Sequence, residues 1–156
     1  MEGPHRDRRG ICRTHSAGSD PPPLRQLHLK LVIDASVLID HVRERGPATG
    51  FIAAAVERGD ELWSSQVIRV EVLAGMRSGE ERGTYALLSL LRWADIGDDE
   101  AAGAGALGQR YSRSHPGIDT PDLLLAELAQ RLGAELVTMN VKHFPMFPEL
   151  KRPYSY

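Results

Sequence analysis

Three acidic residues stand at positions where a carboxylate can do chemistry: Asp34, Glu71 and Asp122. Asp34 ends a β-branched apolar run, and ligands of open parallel sheets bind at the carboxyl ends of strands. Oxygen ligands from three separate elements suit Mg²⁺ or Mn²⁺ rather than zinc. The three carboxylates therefore predict a divalent-cation site. A competing interpretation of Asp34 is that it caps a helix beginning near Ser36.

Glu71 belongs to a segment with helical spacing of apolar residues. The spacing predicts one apolar face formed by Val67, Val70 and Ala74. A carboxylate on such a face is tolerated only beside a cation, a metal or strong hydrogen-bond donors. Glu71 is therefore a candidate functional residue, unless it forms a salt bridge with Arg69 or Arg77.

Asp119, Thr120 and Pro121 predict the start of a helix, and Asp122 lies in its first turn. Acids are common in first helical turns because the helix dipole favours them, and Asp119 is well placed to cap the helix. Asn140 follows the last predicted strand, where asparagine is usually a turn residue. Asp119 and Asn140 are therefore weaker candidates than Asp122.

Short apolar runs alternate with helical patterns, which predicts an α/β fold with a parallel sheet covered on both faces. The predicted strands are 29–34, 61–64, 93–96 and 135–138, and the predicted helices are 36–45, 48–58, 66–76, 80–92, 98–113 and 122–132. The 98–113 helix contains Gly103, Gly105 and Gly108, each costing about 1 kcal/mol relative to alanine, so it is expected to be mobile or closely packed.

Composition limits the other function classes. The 156 residues are 42% hydrophobic and 26% charged with net charge −2, which fits one globular domain and neither requires nor forbids an RNA partner. The six histidines lack zinc-ligand spacing, and no Gly-rich phosphate loop or G-x-S-x-G motif occurs. A lone Cys12 and the lack of an apolar run of about 20 residues predict a cytoplasmic protein without a membrane segment.

The domain prediction follows the same composition. Residues 1–27 are expected to form a flexible N-terminal tail, because large apolar residues are too few there to offset the entropy of ordering. Residues 28–152 are expected to form the domain and residues 153–156 a short C-terminal tail.

Four motifs, in order, resemble those of VapC-type PIN domains. They are LVIDASVLID at 31–40, VEVLAG at 70–75, GIDTPDLLLA at 117–126 and LVTMNVKHF at 136–144. The resemblance covers about residues 29–150. It implies a three-layer α/β/α fold of PIN type, with a short central parallel sheet of four to five strands.

The resemblance also assigns roles to individual residues. Asp34, Glu71 and Asp122 match the first three family acids, and Asn140 stands where a fourth acid often occurs. Asparagine brings no charge, which puts a second metal in doubt unless Asp119 contributes. Ser36 matches a Ser/Thr position beside the first acid, where a hydroxyl can orient a water on the metal.

The activity implied is that of a toxin of a type II toxin–antitoxin system, a Mg²⁺- or Mn²⁺-dependent endoribonuclease that hydrolyses RNA phosphodiesters, with transfer RNA as one candidate substrate. The implied partners are a VapB-like antitoxin and a second copy of the chain. One cluster of leucines contains more apolar residues than one helix face needs, which is compatible with a dimer interface. Core packing explains such a cluster more often. Its members are Leu87, Leu88, Leu90 and Leu91.

Two alternatives remain. A phosphatase with Asp34 as nucleophile is disfavoured, since enzymes of the haloacid-dehalogenase type usually carry a second Asp where this chain has Ser36. A PIN-like binding module with little catalysis is suggested by Asn140, although the three retained acids favour activity. A PIN nuclease of RNA maturation is a further variant of the same chemistry.

Overall fold

A computed structural model describes residues 28–156. The predicted tail 1–27, with Cys12, lies outside the described residues. The four strands are β1 (Lys30–Ile33), β2 (Glu61–Ser65), β3 (Arg92–Ala94) and β4 (Glu135–Val137). The helices are α1 (Ala35–Val42), α2 (Gly46–Arg58), α3 (Gln66–Ala74), α4 (Glu81–Leu88), α5 (Asp98–Tyr111) and α6 (Thr120–Leu132), and a 3₁₀ helix spans Val141–His143.

The four strands form one parallel sheet in the order β3-β2-β1-β4. Helix α6 packs on β1, β2 and β4, with α5 packed against it, while α1 packs against α2, α3 and α4. The predicted three-layer α/β/α architecture with a parallel sheet is therefore confirmed. Because β1 lies between β2 and β4, residues that follow β1 and β4 meet at one edge of the sheet.

The core lies on both sides of β1, whose Leu31, Val32 and Ile33 are buried. A strand buried on both faces needs apolar residues at successive positions, which this segment supplies. The neighbouring strand β2 ends in two buried serines, and the hydroxyl of Ser64 donates to the Ile33 carbonyl oxygen at 2.7 Å. The central strand is thus held firmly where the chain turns into Asp34.

Several predicted boundaries were wrong for local reasons. Helix α4 ends at Leu88 rather than near residue 92, because Leu91 is buried in the core and Arg92 already pairs in β3. Helix α1 ends at Val42, since Glu44 adopts a left-handed backbone with φ of 53°. Helix α2 begins earlier than predicted, at Gly46, with Pro47 in its first turn.

The leucine cluster at the end of α4 and in the turn after it divides between core and surface. Leu87, Leu88 and Leu91 are buried, whereas Leu90 is 49% exposed. The core interpretation therefore holds for three of the four residues.

None of the helices within residues 28–156 has the length and apolar character that a membrane span needs.

The glycine-rich helix α5 packs closely on α6. A methyl group at Gly108 would lie 3.1 Å from Leu123 Cδ1, and one at Gly103 would lie 2.8 Å from Glu127 Cγ. Gly105 faces open space instead. Two of the three glycines thus serve close packing, one of the two explanations predicted for them.

The last residues of the chain fold back onto α1. The hydroxyls of Tyr154 and Tyr156 both donate to Asp40 Oδ2, and Arg45 forms a salt bridge of 2.9 Å with the same carboxylate. Tyr154 also packs against the core and lies 6.5 Å from the Phe51 ring, between centroids. The segment predicted as a C-terminal tail is therefore anchored to the domain.

Candidate active site

Asp34 follows β1 directly and is buried. Its Oδ2 accepts hydrogen bonds from Ser36 Oγ at 2.6 Å and Thr138 Oγ1 at 2.7 Å. It occupies the N-cap position of α1, but its side chain makes no capping hydrogen bond. The competing interpretation of Asp34 as a helix cap is therefore wrong, since hydroxyl groups bind the carboxylate instead.

Two hydroxyls link the end of β1 to the chain after β4. Ser36 Oγ accepts from the Met139 amide at 3.1 Å, and Thr138 Oγ1 accepts from the Asn140 amide at 2.9 Å. Both hydroxyls donate their proton to Asp34, so their orientation is set. Ser36 thus positions the carboxylate of Asp34, and its predicted role in orienting a water on the metal stays a prediction.

Asp122 is buried in the first turn of α6 and forms a reciprocal capping pair with Asp119. The Asp122 amide donates to Asp119 Oδ1 at 3.0 Å, and the Asp119 amide donates to Asp122 Oδ2 at 3.1 Å. His143 Nδ1 lies 3.0 Å from the same Oδ2. The predicted capping role of Asp119 is confirmed, and His143 is an additional partner of Asp122.

Both buried aspartates use one oxygen for their protein partners. All side-chain hydrogen bonds and ion contacts of Asp34 and Asp122 within residues 28–156 go to Oδ2. In that part of the chain neither Oδ1 accepts a hydrogen bond from an amide, a hydroxyl or a cation, although the Asp119 carboxyl lies close to that of Asp122. This arrangement fixes the carboxylate planes while leaving one hard oxygen on each for another ligand.

The pKa of Glu71 is affected by burial and by the charges of two nearby acids, Asp119 and Asp34. Burial raises the pKa of Glu71, and the negative charges of Asp119 and Asp34 raise it further. Its carboxylate makes no salt bridge within the described residues, and Arg69 instead lies 5.4 Å from the Trp93 ring centroid. The alternative of a pairing with Arg69 or Arg77 does not apply.

The predicted face of α3 was wrong. Ile68 and Val72 are the buried residues of this helix, whereas Val70 is 64% exposed and Ala74 is also exposed. Glu71 is half-buried beside the buried stripe rather than within it. The apolar spacing of valines misled the prediction because β-branched residues occur on both faces of this helix.

Asp122 carries the largest carboxyl pKa shift of the site. Burial raises the pKa of Asp122 to about 6, with the Asp119 charge adding to the rise while the Asp119 amide and His143 oppose it. Crowded carboxylates of this kind are stabilised by a cation. Glu71 therefore lies within electrostatic range of Asp34 and Asp119, and Asp119 in turn lies against Asp122.

The donor set fits a hard divalent cation. Within residues 28–156, no three His, Cys, Asp or Glu side chains lie close enough to enclose a metal ion. Mg²⁺ does not require such an enclosure, because it keeps several waters and is usually held by one or two carboxylates together with substrate phosphates. The open Oδ1 atoms of Asp34 and Asp122 match that requirement.

Asn140 is exposed, and only its backbone amide takes part in the network. Its side chain makes no hydrogen bond to the acids in the described chain. Sequence reasoning missed Thr138 and His143, although both stand in the last motif beside Asn140. Thr138 could have been found from its position, because its hydroxyl follows a parallel strand directly, as Asp34 follows the adjacent strand.

Comparison with known proteins identifies the family of this chain. A model of the PIN domain family matches residues 31–146. Ribonuclease VapC19 of Mycobacterium tuberculosis is 40% identical over 123 residues, covering 79% of this chain and 98% of the relative. Ribonuclease VapC10 of the same organism is 37% identical over 125 residues, covering 80% and 93%.

Solved structures show the same fold. A toxin–antitoxin complex from Klebsiella pneumoniae matches with a TM-score of 0.65 and 29% identity over 81% of this chain and 99% of that one. VapBC2 from Rickettsia felis, bound to a promoter DNA fragment, matches with a TM-score of 0.62 and 19% identity over 78% and 96%, which supports the fold alone. The protein therefore belongs to the PIN-domain family, within its VapC group.

Proposed function

We propose that this protein is the toxin of a type II toxin–antitoxin system, a metal-dependent endoribonuclease. The observation that supports this proposal is the pair of buried aspartates, Asp34 and Asp122, each fixed through Oδ2 with Oδ1 open. Relatives named as ribonucleases, at 37–40% identity, point to RNA as the substrate.

The residues would divide the work as follows. Asp34 and Asp122 would hold Mg²⁺ or Mn²⁺, with Glu71 binding directly or through water. The ion, when bound, supplies charge neutralisation at the phosphate and lowers the pKa of an attacking water. Burial and the charges of Asp119 and Asp34 raise the pKa of Glu71, which makes it a better proton acceptor than an ordinary carboxylate.

Several neighbours position these acids without touching substrate. Thr138 and Ser36 fix the carboxylate plane of Asp34, and His143 with the Asp119 amide fixes that of Asp122. Positioning of this kind matters because small displacements of a ligand or base cost rate steeply. These residues are expected to affect turnover more than RNA binding.

The first experiment is RNA cleavage by protein freed of any partner. Total bacterial RNA is incubated with Mg²⁺ or Mn²⁺, beside EDTA, and beside the variants Asp122→Asn and Asp99→Asn. Asp99 lies in the exposed first turn of α5 and serves as the matched control. Discrete cleavage that survives Asp99→Asn but is abolished by EDTA and by Asp122→Asn supports the proposal. Cleavage equal in Asp122→Asn and wild type contradicts it.

The candidate substrate within that pool is transfer RNA. Sequencing of the cleaved ends separates a transfer-RNA nuclease from one that acts on other RNAs. A folded protein that binds RNA but never cuts it would favour the binding-only module that Asn140 suggests. Membership in the PIN family removes the support for an Asp34 phosphatase.

The solved toxin–antitoxin complex from Klebsiella pneumoniae, 29% identical to this chain, supports the proposal of an antitoxin partner. A VapB-like antitoxin is proposed to bind this chain and block the acids, and the chain is proposed to form a homodimer. Titrating the purified antitoxin into the cleavage assay should abolish turnover at stoichiometric ratio. Light scattering of the toxin alone measures its molar mass and so tests the homodimer independently of the antitoxin.

A further inference from the structure

A second feature lies beside the acids, a cleft of about 510 Å³. It is lined by Met139, Asn140, Val141, Lys142 and Arg152. The cleft continues from the site, because the Asn140 amide binds Thr138 Oγ1, the hydroxyl that holds Asp34. Lys142, which also lines the cleft, directly precedes His143, the partner of Asp122.

The cleft is cationic beside a site that is anionic. Lys142 and Arg152 are both exposed, and neither forms a salt bridge within residues 28–156. Other arginines, such as Arg58 and Arg131, are paired with acids. Asn140, at the family's frequent fourth acid position, adds no negative charge. Two unpaired cations and an amide are groups that bind phosphate oxygens.

Arg152 is held at the cleft by the anchored end of the chain. On one side the Leu150 amide donates to the Phe147 carbonyl oxygen at 3.0 Å. On the other side Tyr154 is bound to the buried carboxylate of Asp40 at 3.1 Å. The backbone between two such attachments keeps its place, so less backbone entropy is lost when the Arg152 side chain binds a ligand.

We propose that Asn140, Lys142 and Arg152 bind backbone phosphates of the RNA on one side of the bond held at the acids. The inference rests on the proposed function. The inference gives the path of the RNA strand: after the bond held at the acids, the RNA runs past the end of β4. An acidic peptide of a partner protein is the less favoured occupant, because Asn140 in the cleft is linked through Thr138 to Asp34, at which the scissile phosphate is proposed to bind.

The test measures RNA binding without turnover. Asp122→Asn protein is titrated with a fluorescently labelled oligouridylate over a series of salt concentrations, alone and with Lys142→Gln or Arg152→Gln added. Lys151→Gln is the matched control, since Lys151 is exposed and adjacent to Arg152 but lines a different cleft. Each cleft substitution should weaken binding roughly threefold to tenfold and reduce the slope of log K against log salt by about 0.7.

Equal affinity and equal salt slope in the cleft variants and in Lys151→Gln would overturn the inference, and would leave an acidic protein segment as the occupant to examine. Cleavage assays on cleft variants that keep Asp122 distinguish this failure from failure of the proposed function. There the cleft variants should raise KM and preserve kcat. RNA binding that depends on Lys142 and Arg152, without any cleavage by the natural protein, would uphold the cleft and reject the nuclease.

Discussion

Thr138 Oγ1 donates a hydrogen bond of 2.7 Å to Asp34 Oδ2, joining the ends of two adjacent parallel strands across 104 residues of sequence. Thr138 is fully buried, so this bond forms out of contact with solvent. The carboxylate that the sequence marks most clearly is therefore oriented by a hydroxyl from the far end of the domain.

Substitution of Thr138 by valine tests this relationship. Valine preserves the shape but cannot donate, so Asp34 loses a partner and the Asn140 amide loses its acceptor. We expect the free energy of unfolding in urea to fall by about 2 kcal/mol and kcat for RNA cleavage to fall at least tenfold. Thr138→Ser, which keeps the hydroxyl, should restore most of both. Equal kcat in the valine and serine variants would show that the hydroxyl does not position Asp34.

Asp122 should make the metal-free protein more stable in mild acid. Its pKa is about 6 in the folded protein and near 4 in the unfolded chain, so the folded state binds more protons between these values. The free energy of unfolding in EDTA should therefore rise as pH falls from 7 to about 4.5, by roughly 1–3 kcal/mol from this group. The comparison is with Asp122→Asn, whose stability should rise less over the same range. Parallel pH profiles of the two proteins would argue against the shift.

The two helical glycines Gly105 and Gly108 should respond oppositely to alanine. Gly105 faces open space within α5, so Gly105→Ala should stabilise the protein by about 1 kcal/mol. A methyl group at Gly108 meets Leu123 Cδ1 at 3.1 Å, so the gain in helix propensity is offset by displacement of α6. Thermal unfolding of both variants measures the difference. A larger gain at Gly108 than at Gly105 would contradict close packing of these helices.

Asp40 anchors the C-terminal segment. Asp40→Asn removes the charge that Tyr154, Tyr156 and Arg45 share, and we expect a loss of about 2 kcal/mol in urea unfolding. Tyr154→Phe removes one donor only and should cost about 1 kcal/mol. Burial and the Asp40 charge raise the pKa of Tyr154, so its absorbance should not titrate near pH 10 in the folded state. A normal phenol titration would show that the anchor is open in solution.

The sequence was informative where a pattern is local. The run that ends at Asp34 predicted a buried strand, and Asp119 with Pro121 predicted the start of α6, because strand burial and helix capping depend on a few neighbouring residues. Contacts between distant segments were not predictable in this way. The bonds from Thr138 to Asp34 and from Tyr154 to Asp40 span more than 100 residues each and depend on the order of strands.

Helix faces show a second limit. Val70 looked like a core residue beside Glu71, yet it is exposed, because Ile68 and Val72 turn toward the sheet instead. His143 gave no signal, since a single histidine in an irregular segment has many possible roles. Its contact with Asp122 arises from the 3₁₀ turn after β4, which depends on tertiary packing.

The position of β4 in the sheet has a consequence for synthesis on the ribosome. Because β1 pairs with β4, and because Thr138 and His143 come from the chain after β4, the acids acquire these partners only when residues 135–143 can dock. A nascent chain that still holds this stretch in the exit tunnel carries Asp34, Glu71 and Asp122 without the groups that orient them. The acids are therefore oriented only after residues 135–143 have left the tunnel.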